Sequence, residues 1–282
     1  MYSGLHMMSR AMGLGLALVL SVTSVMAHAD SPPVWVAGWG ESGEGGPAAQ
    51  PFMPEGADPE APPPGFAQLP GRLMHILSRS GERDTGTVAP IEATEEPISC
   101  GPRLGFTQPL KITPDQLYLG STDPITVADS QESPIDDPKL AAGIVDYLKS
   151  KGMAKPKVTV VHALRADLDG DGKPEAIVET ITRDRGVSQF FEGEDEGDFS
   201  FVAVGTWDDG GFKVAAHAGF IHGVDVDLIP AAQFGIQALP DFTGSGHFDL
   251  AVWQAGYEWS SIDVYAWSGG TLKPLAEAYC GV

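Results

Sequence analysis

Apolar and polar positions alternate along Val158 to Arg165, with Val158, Val160, His162 and Leu164 on one side and Thr159, Val161, Ala163 and Arg165 on the other. A period of two predicts a β-strand. The same signal recurs over Ala176 to Ile181, Phe199 to Trp207 and Phe212 to Ala218. The last two runs flank Asp208-Asp209-Gly210-Gly211, whose Gly and Asp residues tolerate the positive φ of a tight hairpin. Upstream the period lengthens to that of a helix. Leu140, Ile144, Val145 and Leu148 form an apolar stripe over residues 138–151, with Asp137 as N-cap, Pro138 at the first helical position and Gly152 past the end. A second, shorter helix is expected over Leu69 to Ser80. Residues 85–135 read as strands and turns around Cys100, punctuated by Pro109, Pro114, Pro124 and Pro134.

The β pattern is duplicated. Trp207 to Phe220 aligns without a gap on Trp267 to Cys280, matching Gly210 with Gly270, Lys213 with Lys273 and Ala216 with Ala276. A second anchor precedes each of these segments. Asp167-Leu168-Asp169-Gly170-Asp171-Gly172-Lys173-Pro174-Glu175 corresponds to Asp241-Phe242-Thr243-Gly244-Ser245-Gly246-His247-Phe248-Asp249. The loop starts are farther apart than the tryptophans, and the difference is an insertion around Arg185 to Asp198. Two anchors in the same order define repeats at about 158–220 and 233–282, each running strand, acidic loop, strand, strand, turn, strand.

The first loop carries candidate chemistry. Acidic side chains at its positions 1, 3, 5 and 9 can surround a hard cation with oxygen, and Ca²⁺ takes six to eight such ligands. Its glycines permit the sharp turn that converges alternate side chains. An EF-hand would need an acidic residue at position 12 and a following helix. Position 12 is Val178, and the residues after the loop alternate like a strand. The loop therefore resembles the calcium loop of FG-GAP and VCBS-type repeats, the integrin α-chain type. That resemblance implies Ca²⁺ held by Asp167, Asp169, Asp171 and Glu175 with the Lys173 carbonyl. In the second loop Thr243 and Ser245 replace carboxylates between Asp241 and Asp249, which implies a weaker site. More broadly, residues 136–282 resemble a group of uncharacterised exported bacterial proteins with one helix, two such repeats and a Cys-Gly tail.

Other features bound the function. Arg10 is the one charge before an apolar run from Ala11 to Val25, and Ala27-His28-Ala29 offers a small-x-small cleavage site. Residues 1–29 thus read as a signal peptide cleaved after Ala29, giving a periplasmic or extracellular protein without membrane insertion. The formal charge of −21 disfavours nucleic acid and anionic membrane surfaces. Two cysteines in an exported chain suggest one Cys100–Cys280 disulfide. It would close a loop of roughly 180 residues, for which the chain-entropy estimate is about 5 kcal/mol. Residues 30–84, rich in Pro and Gly, are expected to be a flexible arm, with Trp35 and Trp39 pinning it to the domain or hooking a partner.

The expected fold is mainly β within an α+β class. Two four-stranded blade-like repeats and one packed helix fill residues 85–282, without closing a propeller. No nucleophile elbow, P-loop or HExxH motif is present. Two functions from different classes stand open. The leading one is a non-catalytic, calcium-binding module for a protein or polysaccharide. The other is a secreted hydrolase with a metal or acid/base site near His217, His222, Asp225 and Asp227. Trp253, Tyr257 and Trp259 could form a sugar-stacking platform or belong to the core. Glu192, Glu194, Asp195, Glu196 and Asp198 make an acidic tip that could draw cations or simply face solvent.

Overall fold

The computed structural model describes residues 33–39, 48–57, 63–90, 104–111, 117–182, 198–208, 210–221, 232–256 and 259–281. Early in the chain come β1 (Trp35–Trp39), β2 (Ala48–Pro51), β3 (Met53–Pro54), β4 (Leu73–Ser78), β5 (Arg83–Thr87), β6 (Leu117–Ser121) and β7 (Gln131–Glu132). Helix α1 (Pro138–Ser150) follows. Asp137 caps it by accepting from the Lys139 N–H, with Pro138 in its first turn. The remainder is β8 (Thr159–Ala166), β9 (Glu175–Ile181), β10 (Phe199–Asp208), β11 (Gly211–Ile221), β12 (Gln233–Ala238), β13 (Asp249–Ala255), β14 (Trp259–Ser268) and β15 (Thr271–Gly281).

These strands build three five-stranded antiparallel sheets. The N-terminal sheet has the order β2-β1-β6-β4-β5, the middle sheet β11-β10-β9-β8-β7, and the C-terminal sheet β12-β13-β14-β15-β3. The two repeats are the four-stranded meanders of the middle and C-terminal sheets. They share a register: Ala176 lies opposite Gly205 as Leu250 lies opposite Tyr265, and Trp207 opposite Phe212 as Trp267 opposite Leu272. The irregularity in the last strand pair also recurs, between Val204 and Gly205 and between Val264 and Tyr265.

Core residues order the layers. Leu140, Ile144 and Leu148 of α1 pack on Val178, Phe201 and Ala203 of the middle sheet. The opposite face of that sheet, with Ile177, Val202 and Val204, meets Leu250 and Val252 of the C-terminal sheet. The far face of the C-terminal sheet, with Ala251, Ile262 and Val264, meets Trp35, Ala37 and Leu119 of the N-terminal sheet. Both repeats therefore point the same face toward the helix end of the stack.

Three expectations need correction. The fold is mainly β, but it has three sheets rather than two blades. The segment 30–84 is not a flexible arm where it is described, since it supplies β1 to β5. The helix expected over Leu69 to Ser80 is a strand, β4, preceded by a single 3-10 turn at Phe66–Gln68. The cause is the small-residue composition. The N-terminal sheet is covered on both faces, by the C-terminal sheet on one side and by Phe66, Leu69 and Leu104 on the other. A Cβ on Gly38 would collide with the Tyr118 ring, and one on Gly120 with Val36. Glycine and alanine serve close packing here. The signal peptide, Trp39's side chain and Cys100 lie outside the described residues.

Candidate metal centre

Loop one joins the end of β8 to the start of β9 in the middle sheet. Gly170 and Gly172 take positive φ of 75° and 82°, and the loop folds around Asp167. The Gly170 N–H donates to Asp167 Oδ1 at 2.8 Å and the Gly172 N–H to Oδ2 at 2.9 Å. Leu168, wholly buried, forms the floor with Trp267. Its N–H donates to Glu175 Oε2 at 2.9 Å.

The carboxylate oxygens of Asp167, Asp169 and Glu175 lie within 4.8 Å of one another. Asp171 is turned away. Its Oδ1 accepts the Lys173 N–H at 2.7 Å, and Oδ2 faces the Lys173 ammonium at 3.6 Å. Glu175 is the telling member. It is only 7% exposed, and desolvation raises its pKa, with the Leu168 N–H opposing and the Asp169 charge adding to the rise. The Trp267 indole favours the charged form, yet its buried N–H closes no hydrogen bond. Among the described residues no cationic side chain forms an ion pair with Glu175. Asp167, Asp169 and the buried Glu175 together offer three carboxylates, the hard oxygen donors that a cation such as Ca²⁺ takes.

Loop two, between β12 and β13, repeats the backbone with different chemistry. Gly244 and Gly246 have φ of 69° and 81°. Asp241 accepts the N–H groups of Ser245 and Gly246, and Asp249 accepts that of Phe242 at 3.1 Å. Where loop one has carboxylates, Thr243 Oγ1 donates to Ser245 Oγ at 2.9 Å, and Ser245 Oγ also accepts the His247 N–H. This loop closes on itself by hydrogen bonds. Its buried Asp249 is pushed up to about 6, chiefly by desolvation. The two loops are neighbours, joined by the Phe248 N–H donating to the Leu168 carbonyl at 2.8 Å.

Of the hydrolytic candidates the structure describes His217 alone. His217 Nδ1 is 2.7 Å from the Tyr147 hydroxyl and its ring packs edge-on against Phe201, a position under α1. His222, Asp225 and Asp227 lie outside the described residues, as do Tyr257 and the acidic tip except for Asp198. Trp253 has the Arg79 guanidinium 4.8 Å from its ring centroid, and Trp259 stacks on Tyr279 instead of on Trp253. Cys280 lies in β15, and no free cysteine occurs among the described residues.

Sequence reading missed Glu179. It stands in β9 with its side chain 5% exposed, and it accepts from Arg79 Nη2 at 3.0 Å and from the Ile236 N–H at 3.1 Å. Arg79 Nε donates to the Ile236 carbonyl at 3.1 Å. One ion pair thus links all three sheets. Burial raises the Glu179 carboxyl even though Arg79 opposes the rise. The available signal was a lone Glu in the apolar run Ala176 to Ile181. Among the described residues no helix is long and apolar enough to cross a membrane. Compared with known protein families, curated proteins and solved structures, the chain matches none of them.

Proposed function

We propose that this chain is an exported, non-catalytic binding module whose fold is stabilised by one Ca²⁺ on loop one, as its resemblance to FG-GAP and VCBS-type repeats implies. The observation that supports it is the buried Glu175 carboxylate, which converges with Asp167 and Asp169 and has no cationic partner among the described residues. A divalent ion there would supply the missing charge. Asp171 would join by releasing Lys173, or would leave its place to water. Loop two would need no metal, because Thr243 and Ser245 satisfy each other. The Cys100–Cys280 disulfide belongs to the same reading, as does export with cleavage after Ala29. A protein or polysaccharide is the proposed class of ligand, with no role for nucleic acid or membrane insertion.

Titration calorimetry on the full mature chain, stripped of metal, tests the central claim. One calcium per chain is expected, lost in Asp167→Ala and retained in Asp241→Ala. No heat with calcium, or equal loss in both variants, would remove loop one as the site.

A further inference from the structure

Where the three sheets converge, Arg79, held from behind by Glu179, forms part of the wall of an open cleft of about 660 Å³. That volume lies within the range of small-molecule sites. Leu77, Leu117, Leu164, Leu239 and Trp253 give it an apolar body, and Arg79, Ser130, Glu132, His162 and Gln237 are among the polar residues that line it. We infer that this cleft binds an uncharged, amphipathic small molecule, with its apolar body against the leucines and a hydrogen-bond-accepting head, such as a carbonyl, on Arg79.

Charge and hydrogen bonding select that class. Arg79 spends Nε on the Ile236 carbonyl and Nη2 on Glu179, and Nη1 has no hydrogen-bond partner among the described residues. Its side chain is 39% exposed, so a donor remains for a ligand. The other charged pair at the cleft is His162 with Glu132, Nε2 lying 3.1 Å from both carboxylate oxygens. A carboxylate only accepts, so the His162 Nε2–H is the donor of this contact. Arg79 and His162 each already face a carboxylate, so among the lining residues none is left to hold an anion. The formal charge of −21 further disfavours one.

A peptide strand is also disfavoured. β12 is the edge of the C-terminal sheet at the cleft, and such edges invite strand addition. Here three of the outward groups are already taken. The Ile236 N–H and carbonyl bond Glu179 and Arg79, and the Phe234 N–H bonds Ser200 Oγ at 2.9 Å. The site does not depend on calcium in loop one.

Nile red, an uncharged dye with a carbonyl acceptor, and the anion 8-anilinonaphthalene-1-sulfonate serve as probes on the full mature chain. Nile red should show saturable, blue-shifted emission at one dye per chain, with the anionic dye binding at least tenfold more weakly. Ala238→Trp and Ser130→Trp place an indole in the cleft from its wall and its exposed rim, and each should weaken Nile red at least tenfold. Leu73→Ser, which removes an exposed leucine elsewhere, should change nothing. If Ala238→Trp melts early, Ser130→Trp decides, because its position on the rim spares the core. Absence of saturable binding, wild-type affinity in the folded tryptophan variants, loss in Leu73→Ser, or equal affinity for the anionic dye would each overturn the assignment.

Discussion

The N–H of Phe248 donates to the carbonyl of Leu168 at 2.8 Å, so the two acidic loops share a backbone hydrogen bond. Leu168 also donates its own N–H to Glu175, the buried carboxylate of loop one. Any ion that fixes Glu175 therefore steadies the neighbouring loop. Phe242 of that loop stacks on Trp35 at 4.9 Å and meets Phe52 edge-on at 5.3 Å. The chain of contacts runs from the candidate metal centre to the N-terminal sheet.

Calcium should raise the melting temperature, and magnesium should do so much less, because Mg²⁺ holds a strict octahedron and its waters. At a hundredfold excess over Kd the stabilisation is about 2.7 kcal/mol. Asp169→Ala should lose most of it and Thr243→Ala little. Differential scanning fluorimetry with and without chelator reads the effect.

Breaking the ion pair from one side should be costly. Arg79→Ala leaves Glu179 buried without its counter-charge, and we expect a loss on the order of 3 kcal/mol in urea unfolding. The figure is at the low end for a buried pair because Arg79 is partly in water. The double variant Arg79→Met with Glu179→Gln should recover a good part of that loss.

In chelator, stability should fall between about pH 4 and pH 6. Burial moves the Asp249 carboxyl from an ordinary 3.8 to about 6, so the folded state holds its proton more tightly than the unfolded chain. The stability this proton adds is complete below about pH 4 and gone above pH 6. The two-unit shift corresponds to roughly 3 kcal/mol. Asp249→Asn keeps an acceptor for the Phe242 N–H and should flatten this part of the pH profile.

Peptide mapping without reduction should recover a Cys100–Cys280 crosslink. Two alkylatable thiols in the mature protein would remove the disulfide from the proposal.

The repeats, helix α1 and loop one were legible because each rests on a local rule: period two, period 3.6 with a capping Asp and Pro, and acidic residues alternating with Gly. The N-terminal sheet was not. Ala37, Gly38, Ala49 and Gly120 look like linker composition until Tyr118 and the C-terminal sheet are seen pressing against them. Asp171 stands apart from the other three carboxylates for a reason equally hidden from spacing. Its spacing fits a ligand, but the adjacent Lys173 competes for it. Arg79 and Glu179 come from distant segments, and nothing in the local pattern of either predicts the other.

Because both repeats turn the same face toward α1, the stack has a direction and two unlike ends. A ring would have no ends, but two blades are too few to close one. Helix α1 finishes one end and the N-terminal sheet the other, as terminal caps finish a solenoid. The architecture is thus extensible. A further copy of residues 159–221, spliced in after residue 221, would present Ile177, Val202 and Val204 to the Leu250 and Val252 layer as the present repeat does, while the face now packed on α1 would have to be refitted to its new neighbour.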